Sequence, residues 1–189
     1  MKKDKIIEKI KFHQETKKYA KISREVSNCI TLYSHGFILG HSKNFILLQE
    51  TDDFRVLGFQ IFPIEQIKKV RFNKWDKYYD KILQWEGEKD KIGIEYLIDL
   101  KNWKTIFESI KNTTLNVIVE CESSDIDSFT IGPIEGIGKK EVVIANFDPE
   151  GYFDDEPSSI DYTSITKVQF NEHYVNILSK YTRRRTEIK

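Results

Sequence analysis

The sequence predicts a mixed α+β protein, mainly β, built as a tandem duplication of a unit with one helix and five short strands. Three observations predict this: an internal repeat, short runs rich in β-branched residues, and helical apolar spacing at the start of each copy. The clearest trace of the repeat is Gly36-Phe37-Ile38-Leu39-Gly40, which returns as Gly132-Pro133-Ile134-Glu135-Gly136, 96 residues later (132 − 36). A repeat that includes its own turns and apolar runs is one folding unit used twice.

The repeat extends well beyond these glycines. Identical residues recur in order along both halves, at separations of 96 and then 98 residues: Ile22 and Ile118, Lys43 and Lys139, Ile67 and Ile165, and Phe72 and Phe170. The separation changes only in polar stretches rich in turn residues, where insertions are best tolerated. We therefore place the first repeat at residues 1–88 and the second at residues 89–189, with the polar segment 86–91 as the linker.

The first copy opens with a helix over residues 4–18, where Ile6, Ile7 and Ile10 follow helical spacing. Strands are expected next at residues 21–26, 30–33, 36–40, 45–49, 55–62 and 67–72. Residues 45–48 are all apolar, so both faces of that strand should be covered. Gly36 and Gly40 mark sharp bends in the strand before it.

The second copy repeats this order. Trp103, Ile106 and Phe107 predict its helix, with Asp99 as the N-cap. Strands are expected at residues 116–122, 128–137, 141–146, 159–162 and 165–170, with Gly132 and Gly136 at the bends. The alternating residues 92–98 are either one extra strand or the lead into the helix.

Composition narrows the function classes. The 189 residues contain 30 Lys and Arg against 30 Asp and Glu, so no global field favours nucleic acid or a membrane. Cys29 and Cys121 occupy non-equivalent positions in the two copies, which favours reduced thiols over a disulfide framework. No apolar run approaches membrane-spanning length, and the N-terminus is lysine-rich. We expect a cytoplasmic protein with no membrane partner.

One segment interleaves aromatic and basic side chains in the way that nucleic-acid-binding surfaces do. Its members are Lys74, Trp75, Lys77, Tyr78 and Tyr79. The second copy has only His173 and Tyr174 there, so such a site would belong to the first copy. The alternative is an exposed loop whose aromatic rings fill the join between the copies.

A second candidate contact surface is acidic. Asp154, Asp155 and Glu156 end a long loop over residues 147–156 that would attract a basic partner and repel phosphates. The alternative is a solvated loop, because charge runs usually face water.

The sequence offers no catalytic residue. No serine or cysteine lies in a nucleophile turn, and no glycine-rich phosphate loop precedes a helix. His35 and His41 lack the further ligands that a zinc site needs. We expect no enzyme activity, no cofactor and no metal site.

The pattern resembles the Sm-like fold, and most closely the bacterial Sm-like RNA chaperones. Gly36, Ile38 and the apolar run 45–48 match the family's second and third strands, and residues 64–72 match its closing strand. The resemblance covers residues 20–72 and 116–170. It implies two small Sm-like barrels whose fourth and fifth strands pair with neighbours, although another SH3-like barrel would show the same pattern.

The sequence departs from the family at positions that matter for function. The family's loop acid is Ser42 in the first copy and Gly138 in the second, and its pocket asparagine is Ile46 and Val142. The expected function is therefore a non-enzymatic binding or adaptor protein with a protein partner or self-association. Two alternatives remain: an RNA-binding regulator that uses residues 2–21, 75–79 and 183–185, or an immunity-type protein that sequesters a basic partner.

Overall fold

The computed structural model describes residues 3–26 and 30–183. Cys29 lies outside the described residues, as do residues 2, 184 and 185 of the predicted RNA-binding surface. The first half contains α1 (Lys3–Thr16), β1 (Ala20–Glu25), β2 (Thr31–His41), β3 (Phe45–Asp52), β4 (Arg55–Pro63), β5 (Ile67–Arg71) and α2 (Lys74–Trp85). The second half contains α3 (Trp103–Lys111), β6 (Val117–Glu122), β7 (Asp127–Gly132), β8 (Ile134–Ile137), β9 (Glu141–Ile144), β10 (Ser158–Asp161), β11 (Lys167–Phe170) and α4 (His173–Leu178).

The part of the chain that the structure describes is a mixed α/β fold with two antiparallel sheets. Eight strands pair in the order β5-β1-β2-β3-β4-β11-β6-β7, and three pair in the order β10-β9-β8. Only Pro133 separates β7 from β8, so these two strands together are the second half's counterpart of β2. Both halves thus have the same element order, a helix, five strand positions and a second helix.

The two halves join through strand pairing. β4 pairs with β11 in antiparallel register, with Ile61 opposite Val168 and Phe59 opposite Phe170. Among the described strands, β4 does not pair with β5, and the ladder does not close into a barrel. The expected barrel closure is therefore absent from the hydrogen-bonded ladders.

The bends expected at the repeated glycines are present. Gly36 has φ 151° and Gly132 has φ 156°, values that only glycine adopts readily. A Cβ atom on Gly36 would overlap the carbonyl oxygen of Gln49, and one on Gly132 would overlap that of Ala145. The same close approach between two backbone segments thus occurs in both copies, at positions 96 residues apart.

The largest hydrophobic core draws on both halves. Phe45 and Ile61 of the first half pack in it with Phe107, Val168 and Phe170 of the second. A smaller core, including Ile10 and Ile46, lies under α1. Residues 45–48 are all buried, as their continuous apolar run predicts, whereas buried and less buried positions alternate along β9.

The structure corrects several local predictions. Residues 30–33 and 36–40 form one strand, β2, because Gly36 bends the chain without breaking its ladder. Asn102, not Asp99, caps α3, since its side chain reaches the backbone N–H of Thr105. Residues 92–98 form no strand, and the helices that end each copy, α2 and α4, were not predicted.

Candidate binding cleft

A cleft opens where the turns of both halves meet the start of α3. Its cavity volume is about 530 Å³. Lys43 comes from the β2–β3 turn, Lys139 from the β8–β9 turn and Lys104 from the first turn of α3. Lys43 and Lys139 are the identical pair that the repeat aligns, so equivalent turns of the two copies line one cavity.

Local hydrogen bonds hold the first of these turns. The Ser42 hydroxyl accepts from the backbone N–H groups of Asn44 and Phe45, each at 3.0 Å. The N–H of Ile64 donates to the carbonyl of Asn44 at 2.7 Å, which ties the turn to the end of β4. Lys43 therefore extends into solvent from a fixed backbone.

The start of α3 contributes the second wall. The Asn102 side chain accepts from Thr105 N–H at 3.0 Å, and the Thr105 hydroxyl accepts from Asn102 N–H at 3.3 Å. This capping box fixes the helix start, where the helix dipole favours anions. The indole of Trp103 packs edge-on against the ring of Phe45 at 4.7 Å, so apolar rings floor the cleft.

Tyr162 closes the cleft from the segment after β10. Its ring lies parallel to that of Phe107, with centroids 6.1 Å apart, and its hydroxyl donates to the carbonyl of Gly138 at 3.2 Å. Burial raises the pKa of Tyr162, and the nearby carboxylates of Glu108 and Glu141 raise it further. The ring is therefore neutral at physiological pH and presents a partly exposed face.

The lining has an excess of positive charge. Three lysines line the cavity against one carboxylate, that of Glu65, and Asn44 and Asn102 add amide groups. The Lys104 ammonium also lies 3.7 Å from the carboxylate of Glu108. Ammonium groups over an aromatic floor suit a ligand that is both anionic and planar.

The predicted aromatic and basic segment is a helix, not a loop. Asn73 caps α2, with its side chain accepting from Trp75 and Asp76 N–H, while Asp76 accepts back from Asn73 N–H. Trp75 and Tyr78 are 68% and 56% exposed, and the Lys74 ammonium lies 4.9 Å from the Trp75 ring centre. Lys77 is also exposed.

The Tyr79 side chain lies against the β3–β4 turn. Its ring stacks on Phe54 with centroids 4.8 Å apart, and its hydroxyl accepts from Phe54 N–H at 3.0 Å. α2 therefore lies at the β3–β4 turn, and its aromatic rings do not fill the join between the copies. The eight residues of β3 separate α2 from the Lys43 turn by about 25 Å. The structure does not bring α2 and the cleft together.

The acidic residues lie at a third place. Asp154, Asp155 and Glu156 are all exposed, and Asp154 accepts a hydrogen bond from the Asn146 amide at 2.7 Å. Asp154 and Asp155 line a separate cavity of about 340 Å³ with Pro133 and Glu135. This cavity shares no lining residue with the lysine cleft.

Within residues 3–26 and 30–183, no group of three His, Cys, Asp or Glu side chains could hold a metal ion. No helix in those same ranges has the length and apolar character needed to cross a bilayer.

Sequence reasoning missed the cleft and the exposed Trp85 of α2. The available signal was the identity of Lys43 and Lys139, which marks equivalent turns but does not show that the turns converge. Comparison of the chain with protein-family models, with curated proteins and with solved structures finds no match.

Proposed function

We propose that this protein is a non-enzymatic binding and adaptor protein, built from two tandem Sm-like units, whose inter-repeat cleft holds a segment of single-stranded RNA. Two features support the Sm-like assignment. Each half has a helix before its strands and a glycine kink at Gly36 or Gly132. β4 pairs with β11, a fourth strand with a fifth, which is the contact that the resemblance implies between neighbouring units.

The observation that carries the RNA proposal is the convergence of Lys43, Lys104 and Lys139 on one cavity with an aromatic floor. Each lysine comes from a different turn or helix start, so the charges surround the cavity rather than lie along one solvated face. Phosphates would contact the ammonium groups, and a base would lie against Tyr162 or the edge of Trp103.

Recognition at this cleft would tolerate different sequences. Ile46 and Val142 occupy the positions where the Sm-like family has its pocket asparagine. Both side chains are fully buried in the hydrophobic cores. Base edges would meet the amides of Asn44 and Asn102 and the carboxylate of Glu65. Binding would therefore depend mainly on charge and stacking, with little discrimination among bases.

Fluorescence anisotropy with a labelled ten-nucleotide uridine RNA tests the proposal, with KCl varied between 50 and 200 mM. If three lysines each neutralise a phosphate, the plot of log affinity against log salt should have a slope of about −2. Replacing Lys43 and Lys139 with Gln should reduce that slope by about 1.4 and weaken binding at low salt.

A matched control distinguishes RNA binding at the cleft from RNA binding at α2. Lys74→Gln with Lys77→Gln removes the same charge from α2, which is about 25 Å from the Lys43 turn, judged from the eight residues of β3. The proposal predicts that this variant binds like the wild type. Equal loss in both double variants would indicate a diffuse charge effect, and loss only in the α2 variant would transfer the RNA site to α2. No binding at 50 mM KCl would overturn the RNA proposal.

The acidic surface supports a second candidate, the sequestering of a basic protein. Asp154 and Asp155 border a cavity, and a cationic side chain could enter it. Co-purification from the native host at low salt, with and without nuclease, distinguishes the two candidates. A nuclease-resistant partner that is lost when Asp154, Asp155 and Glu156 are neutralised supports sequestration, and nuclease-sensitive material supports RNA.

A further inference from the structure

The inner and outer faces of α2 differ in charge. Both acidic residues of the helix are buried and paired: Asp76 lies 2.8 Å from the Arg71 guanidinium, and Asp80 lies 2.9 Å from the Lys89 ammonium. Glu86, directly after the helix, is exposed, and it reduces the charge of the outer surface from +3 to +2. The exposed residues of the helix itself include no acid; they are Lys74, Trp75, Lys77, Tyr78, Lys81, Gln84 and Trp85.

The exposed rings and the exposed lysines of α2 form two parallel stripes. At about 100° per residue, Trp75, Tyr78 and Trp85 lie within about 80° of one another around the helix axis. The rings of Tyr78 and Trp85 contact edge-on, with centroids 6.2 Å apart. The three exposed lysines lie within about 60° of one another, directly beside that arc. An aromatic stripe about 15 Å long therefore runs next to a cationic one.

The fold does not require this outer face. α4 follows the last strand of the second half as α2 follows that of the first. The two helices align at a separation of 95 residues, which places Glu172 at the position of Lys77 and Lys180 at that of Trp85. A helix at this place in the repeat thus forms without a joint aromatic and cationic surface, so the surface of α2 needs another explanation.

We propose that the outer face of α2 binds the surface of an anionic lipid bilayer, with the helix parallel to the membrane. Trp and Tyr side chains favour the headgroup level, because the ring is apolar while its N–H or O–H group stays hydrated. Lysine side chains lie along the apolar level and extend their ammonium groups to lipid phosphates. The expectation of no membrane partner came from the absence of a spanning run, which a helix on the surface does not need.

The geometry of the stripe favours a bilayer over other occupants. The Lys74 ammonium lies 4.9 Å from the Trp75 ring centre, and the ring planes of Tyr78 and Trp85 lie at 82°. These rings therefore offer no continuous stack for successive bases. A second copy that used the same face would bring like charges together. A bilayer can cover all the exposed rings of this convex face at once and supply phosphates to the lysines.

The tryptophans of the chain report the contact directly. The chain has three, of which Trp75 and Trp85 are 68% and 67% exposed on α2, whereas Trp103 is 7% exposed in the floor of the cleft. Trp103→Phe leaves only the two tryptophans of α2. With vesicles of phosphatidylcholine and phosphatidylglycerol in equal amounts, its emission should shift to the blue, and brominated lipids should quench it. Trp75→Phe with Trp85→Phe leaves only Trp103, whose emission should show neither effect.

Vesicle co-sedimentation of the full chain at 50 mM KCl measures how strongly the face binds. Each lysine near an anionic surface contributes about fivefold in affinity, so Lys74→Gln with Lys77→Gln should weaken binding about 25-fold. Lys43→Gln with Lys139→Gln removes the same charge from the cleft and should bind like the wild type. Vesicles of phosphatidylcholine alone should bind the wild type far less.

Replacing both exposed tryptophans tests the aromatic stripe. Trp75→Ala with Trp85→Ala should weaken vesicle binding at least tenfold, and its urea midpoint should stay close to that of the wild type because both side chains are exposed. Lack of binding to anionic vesicles, or equal weakening by the α2 and cleft lysine variants, would overturn the proposal. A native mass that rises with concentration and falls in the tryptophan variant, without vesicle binding, would assign the face to a second copy instead. The vesicle assays contain no RNA, so their outcome is independent of the cleft.

Discussion

Replacing Glu122 with Gln should destabilise the protein by about 3 kcal/mol, because it leaves a buried cation without its partner. Arg24 is only 1% exposed, although it lies 98 positions before Glu122 in the chain. Its guanidinium donates to both carboxylate oxygens of Glu122 at 3.1 Å and to the Gln66 side chain at 2.9 Å. The pair thus links the two halves.

The magnitude follows from burial. Breaking a buried ion pair typically costs 3–5 kcal/mol, and the 16% exposure of the Glu122 side chain places the expected cost at the lower end, about 3 kcal/mol. A Gln at this position would keep one acceptor for Thr166, which donates to Glu122 at 2.8 Å. The amide N–H groups of the new Gln would, however, face the N–H groups of Arg24, and two donors cannot form a hydrogen bond with each other.

Urea unfolding measures the change. With a slope of about 2 kcal/mol per molar urea, a loss of 3 kcal/mol moves the midpoint down by about 1.5 M. Glu25→Gln is the matched control, since Glu25 pairs with Lys68 at 2.8 Å but both side chains are largely exposed. It should cost less than about 1 kcal/mol. A midpoint shift for Glu122→Gln as small as that of the control would refute the reasoning.

Three further changes test the fold. Gly132→Ala should cost at least about 2 kcal/mol, because its Cβ would overlap the carbonyl oxygen of Ala145, whereas Gly40→Ala meets only Leu100 at 3.7 Å and should cost less than about 1 kcal/mol. Equal unfolding midpoints for these two variants would contradict the proposed bend. Burial raises the pKa of Glu50 above its ordinary value, so this carboxyl lowers stability as the pH rises through the raised pKa. Glu50→Gln, which keeps the hydrogen bond from Gln169, should therefore stabilise the protein at pH 7.5 and not at pH 4, as urea unfolding at the two pH values would show. A gain of equal size at both pH values would argue against a buried, titrating Glu50.

The repeat made much of the secondary structure predictable. Helices near residues 4–18 and 103–110 and most of the strands follow from apolar spacing, because each element buries one face. Gly36 and Gly132 were predicted to be bends because a side chain would clash where the strand turns. The close backbone approach at Gln49 and Ala145 shows why only glycine fits there.

Other features depend on contacts that a linear pattern does not show. Residues 74–78 were predicted to be a longer connection of the first copy, because the separation between identical residues changes from 98 to 95 there. In the structure they begin α2, whose buried face includes the polar residues Asp76 and Asp80. Asp76 is stabilised there by Arg71 at 2.8 Å, a pairing that becomes visible only in the fold. The cleft likewise requires the meeting of turns 96 residues apart.

The most direct test of the central claim is to identify which residues contact RNA. A uridine oligonucleotide carrying 4-thiouridine would be photo-crosslinked to the protein at low salt, and the modified peptides would be sequenced by mass spectrometry. The account predicts cross-links at Tyr162, at Trp103 and in the turns that carry Lys43 and Lys139. Cross-links confined to Trp75 and Tyr78 of α2, or none at all, would contradict it.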